Sequence, residues 1–270
     1  MISSKELRYV DYWANKTPMP GEDYSLEVLK EMKKCLEKYN EKYKNKEYSM
    51  IFSNSEEIEF EILEKNLCHM LGIDFNNIKG DYFNEYRQKA FGTSSSDFTS
   101  YDLLCEIIDN MDKISMLDND ASNNAKAINY YKSAIKCAIF NKLSNFDSFN
   151  FASANSNGNQ RFLFVPSNEA VAPYFMMGID LDQNMGDKYF VHTLVAPEDP
   201  KNYFSDREIV IPTQILVSND SNLTKMVATP EEKLQLINMY YNLVNQYNVN
   251  SSLNIQGDYE SMLNDLSKTK

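Results

Sequence analysis

The chain is short of the residues that most enzymes gather at a site: 270 residues hold 2 histidines, 4 cysteines, 8 glycines and one tryptophan. The histidines, His69 and His192, are too few and too far apart for a local metal motif. The glycines build no GxxxxGK phosphate loop and no GxGxxG turn, and neither HExxH nor GxSxG occurs. These absences remove most cofactor enzymes known by short signatures, so neither a metal nor a cofactor is expected. Cys35, Cys68, Cys105 and Cys137 lie roughly 30 residues apart with no CxxC among them. That spacing favours buried free thiols over disulfides or a zinc site. Positive charge is also scarce. Lysine and arginine total 27 against 39 acidic residues, a net charge of −12, and the arginines are only Arg8, Arg87, Arg161 and Arg207. Broad attraction to nucleic acid or an anionic membrane is therefore not expected, although a local basic cleft built on arginine stays open. No apolar run approaches the ~18 residues of a membrane span. The N-terminal MISSKELRYVDYWANK has no signal-peptide core. The expected location is cytoplasmic, without a membrane partner.

What is present is an aromatic-rich apolar fraction, with 18 Tyr and 15 Phe within 43% hydrophobic residues. Leu29, Met32, Leu36, Tyr39 and Tyr43 recur at helical spacing and predict a helix over Tyr24–Lys44. Before it, Leu7, Val10, Trp13 and Ala14 suit a short helix lying on the main body. Tyr48–Phe52 and Ile58–Leu63 read as strands joined by the polar turn Ser53–Glu57. Ile58, Phe60 and Ile62 alternate with Glu59 and Glu61, which gives one buried and one wet face. The second strand runs into Lys65–Leu71, a short helix stopped by Gly72 that carries His69. A helix capped by Asn77 or Asp81 through Ala90, a loop at Gly92–Ser96, and helices over Ser100–Asp112 and Ala121–Tyr131 follow. Ser133–Lys142 fits either helix or strand, and Lys142–Gln160 reads as a strand edge and an exposed loop.

The texture then changes. Arg161–Val165, Tyr174–Asp180, Tyr189–Ala196 and Glu208–Val217 are short aromatic or β-branched runs punctuated by Pro, Gly, Asn and Asp, the pattern of an antiparallel sheet. Asp180–Lys188 is a hairpin loop; its acids lack the helices and terminal Glu of a calcium hand. Thr229-Pro230-Glu231-Glu232 starts a further helix, and residues 253–267 suit a short terminal one. The fold class expected is α+β: N-terminal helices packed on a mostly antiparallel sheet, with a C-terminal helical addition. With no clean linker and no repeat, residues 1–270 read as a single domain with a core at about 24–217 and an extension at about 229–267.

The order of these elements carries a resemblance. A helix and hairpin lead to a strand that runs into K-N-x-x-H-x-x-G-[IV], here Lys65, Asn66, His69, Gly72 and Ile73. Phe83 and Phe91, a helical middle from Lys126 through Phe149 and Phe151, and Phe164-Val165-Pro166 follow. This resembles the phage-associated members of the barnase–EndoU–colicin–RelE superfamily of metal-independent RNases, over residues 24–217; the helix after Pro230 lies beyond it. The resemblance implies attack of a ribose 2′-hydroxyl on the adjacent phosphate. That chemistry needs a base, a donor for the leaving oxygen and a cation over the phosphate.

His69 and His192 are the acid–base candidates because imidazole titrates near neutrality. By strand alternation His192 shares a face with Phe190 and Leu194. Arg87 and Arg161 are the candidate phosphate clamps. Lys65, Tyr174, Tyr189, Thr193 and Arg207 are candidates for holding substrate, with Lys136 behind them. Each has a structural alternative: a packed histidine, a helix-surface charge, a salt bridge to the surplus carboxylates, or strand packing. Three functions follow as expectations. The leading one is a toxin or phage-defence endoribonuclease acting on a restricted RNA such as tRNA. The second is a non-catalytic module of a phage, mobile element or defence system that binds an antitoxin or another protein. The third is an unrelated α+β enzyme acting on a small substrate.

Overall fold

In a computed structural model, the structure describes residues 25–73, 99–114, 128, 130–143, 146, 149–155, 160–167, 173–182, 188–197, 201–204, 208–219 and 222–247. Among these there are six helices and nine strands, and the class is α+β with a mostly antiparallel sheet and a C-terminal helix. The chain divides into two compact units that interleave in sequence: Met1–Lys44 with Ile62–Asn141, and Asn45–Glu61 with Lys142–Lys270. The expected segment before Met19, the helix through Ala90, the loop at Gly92–Ser96 and the terminal helix at 253–267 lie outside the described residues.

The first unit is helical. Helix α1, Ser25–Lys42, buries Val28, Leu29, Met32, Cys35, Leu36 and Tyr39 along one stripe, as its periodicity predicts. Helix α2, Glu64–Met70, buries Leu67, Cys68 and Met70. Helix α3, Ser100–Asp109, buries Leu103, Leu104, Ile107 and Ile108. A capping box starts it: the Asp102 amide donates to Thr99 Oγ1 and the Thr99 amide donates to the Asp102 carboxylate. The Thr99 hydroxyl also donates to Asp102 Oδ2 at 2.7 Å; that bond, with the one from the Thr99 amide, holds the Asp102 carboxyl below its ordinary value. Helix α4, Tyr130–Leu143, resolves the segment that fits either helix or strand. Ser133, Ala134, Lys136, Cys137, Ala138, Ile139 and Phe140 are all buried, so the helix has little wet face to set a period.

The second unit holds the sheet. Its strands are β1 Glu47–Phe52, β2 Glu57–Glu61, β3 Ala152–Asn155, β4 Gln160–Pro166, β5 Tyr174–Asp182, β6 Lys188–Val195, β7 Glu208–Val210, β8 Pro212–Ser218 and β9 Leu223–Val227. The spatial order is β7-β3-β4-β5-β6-β2-β1-β8-β9. Only the β2–β6 pairing is parallel. The run Glu208–Val217, expected as one strand, is cut at Ile211. The half before it pairs with β3 and the half after it with β1. Ser53 holds the break: its amide donates to the Ile211 carbonyl at 2.9 Å, and its Oγ accepts the Ile211 amide at 3.3 Å. A single residue thus joins strands near opposite ends of the order, which requires the sheet to curl back toward itself.

Curling gives the sheet an inner and an outer face. Directly paired residues share a face. Tyr48, Phe60, Leu163, Met177, Ile179, Val191 and Ile215 fall together on the inner side. Tyr48 stacks on Phe60 at 5.4 Å, and Phe146 meets both edge-on at 5.3 and 5.2 Å. On the outer side, β4 and β5 are covered by the short helix α5, Lys201–Phe204. There Phe204 packs on Phe164 and Tyr174, while Tyr203 meets Phe162. Helix α6, Pro230–Tyr247, begins as its sequence predicts. Thr229 Oγ1 accepts the Glu232 amide at 3.2 Å, and the Glu232 carboxylate accepts the Thr229 amide at 2.8 Å.

Candidate functional site

The junction that carries His69 is a built helix stop. The Gly72 amide donates to the His69 carbonyl at 3.1 Å and the Ile73 amide donates to the Cys68 carbonyl at 2.9 Å. Gly72 sits at φ 87°. This is a Schellman stop, with glycine in the left-handed position that side chains avoid. Gly72 also lies against α4: a Cβ there would stand 2.8 Å from Ser133 Oγ and 2.9 Å from Ser133 Cα. The buried Lys136 ammonium donates to the His69 carbonyl at 2.9 Å, a cation at a helix C-terminus. The His69 side chain is half-buried on this short helix. Lys65 is exposed, and its carbonyl accepts from Ser100 Oγ at 3.0 Å. The Cys68 thiol donates to the Ser100 carbonyl at 2.7 Å, and burial pushes its pKa up to about 12. A thiol so raised is a poor nucleophile.

Arg161 belongs to the inner face of the sheet, 5% exposed at the mouth of β4. Its guanidinium forks onto Glu56 in the β1–β2 turn: Nη1 donates to Oε2 at 3.0 Å, and Nη2 donates to Oε1. Its Nε donates to Tyr189 Oη at 3.2 Å, and the guanidinium lies 5.4 Å from the Tyr189 ring centre. The Arg161 hydrogen bonds hold the Glu56 carboxyl below its ordinary value. Burial lowers the Arg161 pKa, but the bonds to Glu56 and Tyr189 outweigh it and the net shift is upward. The fork that would clamp a phosphate is filled by a carboxylate. Two further candidates also pack: Tyr174 stands edge-on to Phe164 and Phe204. Thr193 closes over Gly178, where its Cγ2 would lie 2.9 Å from an added Cβ.

His192 lies on the outer side, and its strand is irregular there. Gly178 pairs with Thr193 and Ile179 with Val191, so His192 is the extra residue of a bulge. The bulge corrects the face expected from alternation. Val191 and Leu194 are both buried, while the His192 side chain is 49% exposed and meets Phe190 edge-on at 6.2 Å. Its Nδ1 stands 3.7 Å from Asp180 Oδ2. Asp180 Oδ1 is buried without a hydrogen-bond partner. His192 belongs to the second compact unit and His69 to the first. Arg87 and Arg207 lie outside the described residues.

Past Phe190, the outer face runs over β2, β1, β8 and β9 as a regular grid. Glu61, Glu47, Ser218 and Leu223 form one row. Glu59, Ser49, Leu216 and Lys225 form the next, and Glu57, Ile51, Gln214 and Val227 the third. None of these residues is buried. The acids collect on β2 and β1, and the apolar side chains on β8, β9 and the end of β1. Lys188 pairs with Glu47 at 2.7 Å; that bond raises its pKa, with weaker contributions from Glu47, Glu59 and Glu61 as charges. Ser49 donates to Glu57. Sequence reasoning found the wet face of β2 but not its continuation, because neighbours in a sheet are set by register and not by spacing. Strand β9, mostly exposed and without alternation, gave no signal.

Among the described residues no three His, Cys, Asp or Glu side chains converge as metal ligands would. Among them, too, no helix is long and apolar enough to cross a membrane. In comparison with known proteins the chain matches no family model, no curated protein and no solved structure.

Proposed function

We propose that the chain is a protein-binding module whose working surface is the outer sheet face. The observation that carries this is the three-row grid over β2, β1, β8 and β9, which holds carboxylates beside aliphatic side chains with none of them buried. Leu223 and Val227, 67% and 57% exposed, are two of the three large hydrophobic residues most open to solvent among the described residues. Leu216 and Ile51 continue this margin onto β8 and β1, and contiguous exposed apolar patches rimmed by polar residues mark interaction surfaces. Three cations among the described residues are engaged elsewhere: Arg161 by Glu56, Lys136 by the His69 carbonyl, and Lys188 by Glu47. The ribonuclease reading keeps one point in its favour. His192 is exposed at a bulge beside a carboxylate, as a positioned acid–base group would be. The charged group beside it, however, is the Asp180 carboxylate, where phosphate cleavage asks for a cation.

Two assays on the full chain decide between these readings. Total cellular RNA incubated with the protein and EDTA is expected to stay intact, and a random library of displayed linear peptides is expected to yield enriched binders. RNA fragments that survive EDTA and vanish in His69→Ala or His192→Ala would overturn the proposal in favour of the nuclease.

A further inference from the structure

The outer face is not uniform, and its asymmetry selects a partner. Glu59 and Glu61 project from β2, while Leu216, Leu223 and Val227 project from β8 and β9, with Ile51 between them. Strands stand about 4.8 Å apart, so the acidic and apolar margins are separated by about 14 Å. Lys188 is bound to Glu47 and also interacts with Glu59 and Glu61, and one ammonium against three carboxylates leaves that margin negative. The whole chain, at −12, adds a field of the same sign. A second copy of the chain is a poor occupant. Laid antiparallel so that Leu223 meets Val227, two β9 strands would set Lys225 against Lys225, and like charges directly opposite are destabilising.

From this we infer that the face takes a linear protein segment with lysine or arginine grouped at one end and aliphatic or aromatic side chains at the other. The basic end lies over Glu59 and Glu61 and the apolar end over Leu216, Leu223 and Val227. The inference rests on the protein-binding reading and adds to it the location and the partner chemistry. Charge steers such a segment onto the face and fixes its direction, and the apolar margin holds it there. Binding therefore weakens as salt rises.

The test uses peptides enriched from the random displayed library on the wild-type chain, measured against Glu59→Lys/Glu61→Lys, the milder Glu59→Gln/Glu61→Gln, and Leu223→Asp. These positions are solvent-exposed or half-exposed, and thermal unfolding checks that each variant folds. The expected peptides combine basic and apolar residues. They should bind the charge-reversed chain at least about tenfold more weakly, with the neutral variant between. Leu223→Asp should weaken them as well. Peptides that are enriched but lack basic residues, or that bind all variants alike, would overturn this inference and leave the protein-binding reading standing. A library that yields no binder would overturn both.

Discussion

The inner and outer faces of the sheet are built from alternate residues of the same strands, yet they treat charge in opposite ways. On the inner face the cation Arg161 is 5% exposed, and its donors are directed to Glu56 and Tyr189. On the outer face Glu57, Glu59 and Glu61 stand unburied along one strand, three like charges of which Lys188 reaches two, Glu59 and Glu61. The inner pair is there because burial demands it: a guanidinium removed from water needs its partner. Folding makes no such demand on the outer row, and clustering like charges is mildly unfavourable. Residues that cost stability without being needed for packing are the ones to examine for binding. The α2 junction treats charge as Arg161 is treated: its buried cation, Lys136, is bonded to the His69 carbonyl.

This contrast can be broken by substitution. Glu56→Ala leaves the Arg161 guanidinium buried and unpaired, and is expected to lower unfolding stability by about 3 kcal/mol. Glu59→Ala on the outer face is expected to change it by less than about 0.5 kcal/mol. Chemical denaturation of the two variants side by side measures the difference, and equal effects would dissolve the distinction. Gly72→Ala comes next, at about 2 to 3 kcal/mol. A left-handed backbone position and a contact with the Ser133 backbone must both be accommodated. The smallest effect is in pH. The folded Glu56 carboxyl sits below its unfolded value, so its stabilisation is complete above the ordinary carboxylate range and is lost as pH falls through the folded value. Thermal unfolding followed downward from about pH 4.5 should fall more steeply in wild type than in Glu56→Gln.

Much of the fold was legible because its signals are local. The stripe of α1, the alternation of β2, the glycine that stops α2 and the Thr-Pro-Glu-Glu start of α6 each depend on a few neighbouring residues. What was hidden depends on distant ones. Helix α4 has too little wet face to show a period. The cut at Ile211 follows from the curl of the sheet, and the bulge at His192 turns the expected face of that residue. Arg161 shows no sign in sequence of a partner 105 residues before it. The K-N-x-x-H-x-x-G-I block reads in physical terms as a helix with its Schellman stop: Gly72 and Ile73 supply the capping bonds, and His69 supplies a carbonyl. The helix end accounts for Gly72 and Ile73 in that block, but not for the choice of Lys65, Asn66 and His69.

Hydrogen–deuterium exchange of the full chain with and without a library-selected peptide tests the central claim most directly. The account predicts new protection in β1, β2, β8 and β9, with the α2 junction and the Arg161 region of β4 unchanged. Protection confined to the helical unit, or spread evenly over the chain, would contradict it.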